Sequence, residues 1–529
     1  MKTHIYNARI CDGTGAPVWR GGILFDTQGI LEVYEGSKKD ISADQTIDAD
    51  GRLLTPGFID IHRHCDIMPL YGTEYGDAML HQGITTTVVG NCGISLTPAP
   101  DQTEEMYAYY EPVLGPVRDG LPKIYPAYRK ALEQTSLPVN TAAMIGTGAV
   151  RIAVKGFSDT PWTSAELDQG RAFIEEAMQV GAPGVSLGIM YLPECYGSTE
   201  EFGKLLEPVG RHGGVITTHI RGEGDSLVSS VEEVIEIARR AGCALEISHF
   251  KSCGMQNWGK SIHEAIQRIE AARAKGMDVT CDFYPYDGGS TALTTMLPPA
   301  FVGGDLKTAL ERLGTEEGVQ AFRQMVSQTW PGWDNYAITL GWKRILISGI
   351  TLPEYEPLRG LDMESAAARF GYEDAVSLAA EMMHREQGRT AIINQSMAQE
   401  DIDTIARLPY ALLISDSIYA DTKTPHPRMY GAFPKFLREY VQEKHLLTLE
   451  EAVHKMTQMP AERMKLRHRG ALLPGYAADL LLFNEKDFRD LATYTDPARL
   501  AVGMEYMWIG GQPAMREGQI LHWDLGQLL

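Results

Sequence analysis

Eight short apolar segments, separated by helix-like stretches, dominate the middle of the 529-residue chain. The stretches between them carry amphipathic patterns that end at glycine, as in SLVSSVEEVIEIARRAG. Nearly continuous apolar strands that alternate with helices indicate an α/β fold with a parallel sheet covered on both faces. Eight such units fit a (β/α)8 TIM-type barrel better than an open sheet. The candidate strands are residues 57–64, 85–93, 141–148, 184–191, 214–221, 244–251, 278–286 and 411–417.

Both ends of the chain have a different character, with short β-like runs broken by turns in residues 1–56 and 470–529. The shared pattern predicts one small β-sandwich domain built from both termini, with the barrel at 57–469. The distance between the seventh and eighth strands is too long for one crossover. We therefore expect an insertion at about 287–345, either a lid rich in aromatic residues or a plain surface elaboration.

Charge and composition narrow the class of partner. The net charge of −21 argues against nucleic acid and against an anionic membrane surface. No apolar run approaches the roughly 18 residues of a membrane span, and the first residues lack the apolar core of a signal peptide, which predicts a cytoplasmic protein. Seven scattered cysteines predict free thiols and no disulfide framework. The sequence does not decide whether the protein forms a homo-oligomer.

Metal-binding residue types stand where several predicted strands end. The first strand ends in His62 and His64, which point to one side of an extended chain. The second strand ends in Cys92, the fifth in His219 and the sixth in His249. Each residue alone has a structural explanation, such as a hydrogen-bonded histidine or a buried thiol. Because imidazole and thiolate are zinc ligands and barrel strands end at one rim, together they predict a metal site.

Asp416 follows the eighth strand at the same rim. An aspartate after a strand is often a helix N-cap. Beside a metal site, however, its carboxylate can accept a proton from water and then donate one to a departing amine. Asp416 is therefore a candidate catalytic residue.

The chain resembles the amidohydrolase superfamily and, within it, the N-acyl-D-amino-acid deacylases (D-aminoacylases). The resemblance covers nearly the whole chain and is carried by PGFIDIHRHCD, VVGNCGISLTP, THIRGEG, ISHFK, DFYPYDGGST and SDSIYADTKTPHPRMYGAFPKFLREYV. The GNCG segment and the HPR that precedes GAFP distinguish the deacylases. The resemblance implies hydrolysis of N-acyl-D-amino acids to a carboxylate and a free D-amino acid, with one or two Zn²⁺ ions as cofactor. The handedness of this small-molecule substrate rests on the resemblance alone.

The resemblance also implies roles for single residues. Cys92, His219 and His249 would form the tighter metal site, and His62 and His64 would hold a second ion near the same cysteine. Asp416 would act as general base and acid. The free carboxylate of the substrate would be held by Tyr191, Lys251, Ser290 and Arg428. Three further residues close to the ligands, which could orient them, are Asp66, Arg221 and Glu223.

Three other functions remain as alternatives. One is a dipeptidase specific for a carboxyl-terminal D-residue. Another is a cyclic amidase of the dihydroorotase or hydantoinase type, which the resemblance disfavours because such enzymes carry a lysine late in strand four and GVSLGIMY has none. The third is a non-enzymatic interaction protein, which is disfavoured because all six metal and catalytic positions are filled. The extra thiols Cys65, Cys195 and Cys253 are read as incidental.

Overall fold

The computed structural model describes residues 1–37, 41–99, 103–330, 332–420 and 423–529. The strands, in chain order, are β1 (Thr3–Ile10), β2 (Trp19–Asp26), β3 (Gly29–Glu35), β4 (Gln45–Asp48), β5 (Leu53–Pro56), β6 (Phe58–Asp60), β7 (Ile84–Val89), β8 (Asn140–Ala143), β9 (Ile145–Gly146), β10 (Gly184–Gly188), β11 (Val215–His219), β12 (Ala244–Ile247), β13 (Val279–Phe283), β14 (Gly289–Ala292), β15 (Ile345–Gly349), β16 (Ala391–Asn394), β17 (Ala411–Leu413), β18 (Leu480–Phe483), β19 (Met504–Ile509), β20 (Gln512–Arg516) and β21 (Gln519–Ile520).

The helices, in chain order, are α1 (Asp77–His81), α2 (Thr103–Leu114), α3 (Tyr125–Glu133), α4 (Thr147–Lys155), α5 (Ser164–Gln179), α6 (Thr199–Leu205), α7 (Glu207–Arg211), α8 (Leu227–Ala241), α9 (Ser261–Ala274), α10 (Pro299–Val302), α11 (Leu306–Arg312), α12 (Glu316–Val326), α13 (Tyr336–Thr339), α14 (Met363–Phe370), α15 (Ala375–Arg385), α16 (Gln399–Ala406), α17 (Arg428–Phe436), α18 (Leu449–Met456) and α19 (Gln458–Arg463). Among the described residues, no helix has the length and apolar character needed to cross a membrane.

Each of the eight predicted strand segments contains an observed parallel strand. Strands β6, β7 and β8 form one parallel sheet, and β9, β10, β11, β12, β13 and β17 form another. Only Met144 separates β8 from β9, and Arg63, after β6, forms a parallel bridge with Ser417, after β17. The fold is therefore a mixed α/β arrangement in which the carboxyl ends of these strands lie near one another. Closure into a single barrel stays a prediction.

The two ends of the chain meet in one nine-stranded sheet. Strand β5, from the amino-terminal part, pairs antiparallel with β18, from the carboxyl-terminal part. A small separate core includes Phe25, Leu54 and Trp508, which are residues of the sheet strands β2, β5 and β19. The predicted sharing of one sheet between the termini is thus observed, whereas the β-sandwich arrangement and the boundaries at 56 and 470 stay predictions.

The chain between β13 and β17 contains a further three-stranded antiparallel sheet in the order β14-β16-β15. Along the chain, helices α10 to α15 lie between the three strands, and α16 follows β16. The predicted insertion at about 287–345 falls in this region, although its sheet extends to β16. Residues of β14 and β16 reach the cavity described below.

Local sequence signals explain several helix ends. The predicted capping box before α18 is present, since the side chain of Thr448 accepts from the backbone of Glu451 and the Glu451 side chain accepts from the backbone of Thr448. Helix α8 ends at Gly242, whose φ of 69° a residue with a Cβ adopts only at a cost. These signals fix the end of a helix that connects two parallel strands, α8, and the start of a helix that leads from the last parallel strand toward the terminal sheet, α18.

Candidate metal and catalytic site

Five side chains of metal-binding type lie together where the parallel strands end. One of them is the last residue of β11, and the others follow β6, β7 and β12 within a few residues. All are buried, with at most 5% of their surface exposed. The five residues are His62, His64, Cys92, His219 and His249. The structure brings together every residue that the sequence predicted as a metal ligand.

Cys92, His219 and His249 form the first group, in which one ligand atom from each residue lies within 4.8 Å of the others. Sγ of Cys92 is 3.4 Å from Nε2 of His249. Nδ1 of His219 lies 3.2 Å from the Tyr191 hydroxyl, and Nδ1 of His249 lies 3.0 Å from a carboxylate oxygen of Glu223. Both imidazoles of the first group therefore have a second side chain that can fix their orientation.

His62, His64 and Cys92 form the second group, with the same limit of 4.8 Å between their ligand atoms. Nε2 of His62 is 3.2 Å from Sγ of Cys92. The Nδ1 atoms of His62 and His64 are buried and have no hydrogen-bond partner in the described part of the chain. The closest carboxylate to Nδ1 of His62 is that of Asp282, at 3.6 Å. Cys92 is thus shared, but the second group lacks the outer hydrogen bonds of the first.

Two of the predicted metal ligands and the predicted catalytic residue have an unusual backbone conformation. The φ angles are 55° at Cys92, 36° at His249 and 49° at Asp416. Residues other than glycine rarely adopt positive φ, and those that do cluster at functional sites. All three side chains line one cavity. The sharp turns after β7, β12 and β17 therefore coincide with two of the predicted metal ligands and with the predicted catalytic aspartate.

The donor atoms suit zinc. Burial raises the pKa of the Cys92 thiol, but the imidazoles of His62 and His249 outweigh burial and hold this pKa well below its usual range. Cys92 is therefore a thiolate, the form that binds metal. Zinc is coordinated by thiolate sulfur and imidazole nitrogen in proteins, and each group offers one sulfur and two nitrogens. Both groups fit a zinc ion by the chemistry of their donors.

Asp416 lies between the second group and a buried arginine. Its Oδ1 is 3.4 Å from Nε2 of His62 and 3.4 Å from Nε2 of His64. Its Oδ2 is 2.9 Å from Nη1 of Arg428. Burial raises the pKa of Asp416, but the charges of Arg428 and His62 more than offset this and hold the pKa well below its usual range. The carboxylate is therefore ionised and can accept a proton.

The four residues predicted to bind substrate line the same cavity as the metal-type residues and Asp416. They are Tyr191, Lys251, Ser290 and Arg428. Arg428 is 1% exposed; its Nη1 is paired with Asp416, whereas its Nε and Nη2 have no hydrogen-bond partner within the described residues. Its guanidinium lies over the ring of Tyr284, 4.5 Å from the ring centroid. A buried guanidinium with two nitrogens that lack a partner can bind a second anion besides Asp416.

Lys251 is in a different state from Arg428. Its Nζ donates to Glu223 at 2.6 Å and lies 2.6 Å from Nδ1 of His249. Burial raises the pKa of Glu223, but Lys251 and His219 outweigh burial and leave this pKa far below its usual range. The positive charge of Lys251 is thus balanced by a carboxylate that also contacts a ligand of the first group.

Two buried aspartates at the strand ends were not predicted. Asp60 accepts hydrogen bonds from the backbone of His62 at 3.3 Å and of Ser415 at 3.1 Å, and pairs with Arg63 at 3.1 Å. Asp282 accepts from the backbone of His249. A charged residue inside an apolar strand pattern is the signal that could have found both.

Of the residues predicted to orient the ligands, Glu223 contacts His249 as described, whereas Arg221 pairs with Glu233 at 2.8 Å. Asp66 is fully buried, and neither of its carboxylate oxygens has a hydrogen-bond partner among the described residues. Burial raises the pKa of Asp66 to about 7, with a smaller opposing contribution from His64.

The three extra thiols differ in position. Cys65 and Cys253 are buried and Cys195 is partly exposed, and Cys253 alone of the three lines the cavity. Burial raises the pKa of all three thiols well above the usual cysteine range. The three thiols are therefore protonated, and none of them belongs to either of the two metal-type groups.

Comparison with known proteins adds relatives over the full length. Residues 45–189 and 365–515 match the family model described as "Amidohydrolase family". The chain is 31% identical to a D-aminoacylase of Alcaligenes xylosoxydans xylosoxydans, over 98% of this chain and 96% of the relative. It is 32% identical to an N-acyl-D-glutamate deacylase of the same organism, over 97% of this chain and 95% of the relative.

A solved structure has the same fold. It is the N-acyl-D-glutamate deacylase from Bordetella bronchiseptica, complexed with zinc and a phosphonate inhibitor that mimics the tetrahedral intermediate. The TM-score is 0.84 at 31% identity, and the alignment covers 100% of this chain and 99% of the other. From these matches, the chain belongs to the amidohydrolase family and, within it, to the N-acyl-D-amino-acid deacylases, which are hydrolases of amide bonds.

Proposed function

We propose that this protein is a zinc-dependent hydrolase that cleaves the amide of N-acyl-D-amino acids, giving a carboxylate and a free D-amino acid. The observation that carries the proposal is the pair of metal-type groups that share the thiolate of Cys92, with Asp416 and Arg428 beside them. The activities of the relatives support the substrate class, and the zinc of the Bordetella enzyme supports the metal.

The metal is held, in this proposal, by the residues whose donor atoms converge. Cys92, His219 and His249 bind the tighter ion, and His62 and His64 bind a second ion together with Cys92. When bound, zinc lowers the pKa of a water molecule and polarises the carbonyl of the amide. The chain itself supplies the proton transfers and the orientation of the substrate.

Asp416 is the general base and then the general acid. Its ionised carboxylate accepts the proton that the attacking water loses, and the same oxygen then donates that proton to the nitrogen of the breaking amide bond. The nearby Arg428 keeps the carboxylate ionised before the reaction. Asp416 is within reach of both metal-type groups, since it contacts His62 and His64 and lines the cavity with Cys92.

Arg428 holds the free carboxylate of the substrate. Its Nε and Nη2, which have no partner among the described residues, can form two parallel hydrogen bonds to a carboxylate, which fixes orientation as well as charge. Tyr191, Lys251 and Ser290 complete the polar surface around this carboxylate. In the same proposal, the parallel strands that carry these residues close into one (β/α)8 barrel, and the terminal sheet is a separate β-sandwich domain.

A cyclic amidase or a dipeptidase specific for D-residues is the alternative. The cyclic amidases are disfavoured because β10 (Gly184–Gly188) contains no lysine. A dipeptidase would use the same metal groups on a larger substrate, and no contact in the cavity favours that larger substrate over an N-acyl amino acid.

The proposal is tested by zinc content per chain and by release of amine from paired N-acetyl-D- and N-acetyl-L-amino acids. The wild type should hold one or two zinc ions and cleave only the D-substrates. Cys92→Ala should lose the zinc and the activity together, whereas Cys243→Ala, a thiol outside both groups, should keep both. Bound zinc with no cleavage of any linear substrate would refute the substrate class, and a wild type without zinc would refute the metal.

A further inference from the structure

The cavity contains few charged side chains apart from the histidines and the thiolate. Two are cations, Lys251 and Arg428, and two are carboxylates, Glu223 and Asp416. No other lysine or arginine among the described residues lines the cavity. The formal charges of these four side chains cancel, so the cavity has no excess of positive charge from lysine and arginine.

The two cations differ in what they can still bind. Nζ of Lys251 donates to Glu223 at 2.6 Å, and the pair is buried, with 5% of each residue exposed or less. Nη1 of Arg428 is paired with Asp416 at 2.9 Å, but its Nε and Nη2 have no hydrogen-bond partner among the described residues. Arg428 is thus the cation with free donors, and one carboxylate group is enough to satisfy them.

Another part of the lining is apolar. We call Ile94, Val113, Met190 and Ile418 the apolar wall; all four line the cavity. Two come from the segments after β7 and β17, one from α2 and one from the segment after β10. The backbone of Val113 accepts from Tyr419 at 2.7 Å, which fixes α2 against the segment that carries Ile418. The wall is therefore part of the built cavity and contains no side-chain donor for an anion.

We infer that the substrate carries a neutral, largely apolar amino-acid side chain, which packs against the apolar wall, and that acidic D-residues are poor substrates. This inference rests on the proposed function and sharpens it. Curated relatives include both a D-aminoacylase and an N-acyl-D-glutamate deacylase at almost equal identity, so overall similarity does not distinguish the two kinds of substrate.

The physical reason is the cost of a second carboxylate. An N-acyl-D-glutamate carries two, and Arg428 can satisfy only one of them. The other would face the apolar wall, neutral polar side chains such as Thr291, Asn394 and Ser396, or the carboxylates of Glu223 and Asp416. None of these supplies a positive charge, so the water lost from this carboxylate would be replaced only in part, which costs several kcal/mol. At 1.4 kcal/mol for each factor of ten, this predicts a discrimination of about 100-fold or more in kcat/KM.

The experiment compares a charged substrate with a neutral substrate of similar shape, and adds two apolar substrates. Zinc-loaded wild type is assayed on N-acetyl-D-glutamine and N-acetyl-D-glutamate, which differ in charge, and on N-acetyl-D-leucine and N-acetyl-D-methionine. We expect leucine and methionine to be cleaved best, and glutamine about 100-fold better than glutamate in kcat/KM. Glutamate cleaved as well as glutamine overturns the inference and leaves the proposed function intact. No cleavage of any D-substrate overturns the proposed function and the inference with it.

A pair of variants tests the position of the side chain. Val113→Lys adds a cation to the apolar wall, and Val113→Gln adds similar length without charge. We expect the lysine variant to raise the glutamate-to-glutamine ratio about tenfold, as one new ion pair can, and the glutamine variant to leave the ratio unchanged. An unchanged ratio in a folded, zinc-loaded lysine variant overturns the assignment of the wall. Should that variant not fold, Ile418→Lys makes the same test from the segment after β17.

Discussion

The two metal-type groups share Cys92 but differ in what lies behind their imidazoles. In the first group, His219 contacts the Tyr191 hydroxyl, and His249 contacts Glu223 and Lys251. In the second group, the outer nitrogens of His62 and His64 have no hydrogen-bond partner in the described structure. Partners of this kind fix the ring and raise the affinity for metal. The first group is thus prepared for its ion, and the second is less so.

Two groups of metal-type residues that share one thiolate can therefore differ in their affinity for metal. Asp416 contacts the imidazoles of the second group, so its carboxylate and an ion bound by this group would occupy the same part of the cavity. The first group lies next to the buried pair of Lys251 and Glu223, since Lys251 also contacts His249. We therefore expect affinity to depend mainly on the first group.

A matched pair of ligand deletions tests the difference between the two groups with the largest expected effect. His249→Ala should lose the tightly bound zinc and at least about 10³-fold in kcat/KM, because a zinc ion supplies several kcal/mol of transition-state stabilisation. His64→Ala should keep the tight ion and lose only the weaker one. Zinc titration of both variants, with far-ultraviolet circular dichroism as a folding control, measures this. Loss of the tight ion from His64→Ala would remove the distinction between the groups.

Asp416→Asn separates proton transfer from metal binding. The amide keeps the shape of the side chain but accepts protons poorly, so kcat should fall by about 10²–10⁴-fold. Zinc content should stay at the wild-type value, since Asp416 belongs to neither group of donors. Elemental analysis alongside steady-state kinetics makes the measurement. A variant that loses zinc together with activity would show that Asp416 is a ligand and contradict its assigned role.

A smaller effect distinguishes the outer partners of the two groups. Glu223→Gln removes the charge that faces His249 and Lys251, and should weaken zinc binding at the first group by about 10–100-fold. Asp282→Asn is the matched change for the second group, and the amide oxygen of the new side chain can still accept the hydrogen bond from the backbone of His249. Because Asp282 lies 3.6 Å from His62 without a hydrogen bond between them, the effect of this change should be smaller. Competition with a zinc-binding dye gives both affinities, and equal effects would contradict the comparison.

The positions of the ligands followed from the sequence because two simple rules coincide. Apolar periodicity located the strands, and parallel strands of an α/β fold bring their carboxyl ends to one edge. His219, the last residue of β11, and Cys92, three residues after β7, needed no other information. The capping box of α18 was also predictable, because its two residues are three apart.

Other features depend on contacts between distant residues. The pair of Glu223 and Lys251 joins two strand ends 28 residues apart, and the pairing of β5 with β18 joins opposite ends of the chain. Neither leaves a local pattern. The antiparallel sheet of β14, β15 and β16 was missed because its register is set by packing across about a hundred residues. The unsatisfied donors of Arg428 are likewise a property of its surroundings alone.

The positive φ angles of Cys92, His249 and Asp416 have a consequence for any attempt to make this protein resist heat. A side chain in that conformation costs up to about 1–3 kcal/mol, and glycine would relieve the cost at each position. Selection for thermal tolerance alone would therefore favour replacement of the thiolate, the imidazole and the carboxylate on which, in the proposed function, activity depends. Thermal stability and catalytic turnover are therefore opposed at these three turns. Substitutions meant to stabilise the protein should be made at other positions of the chain.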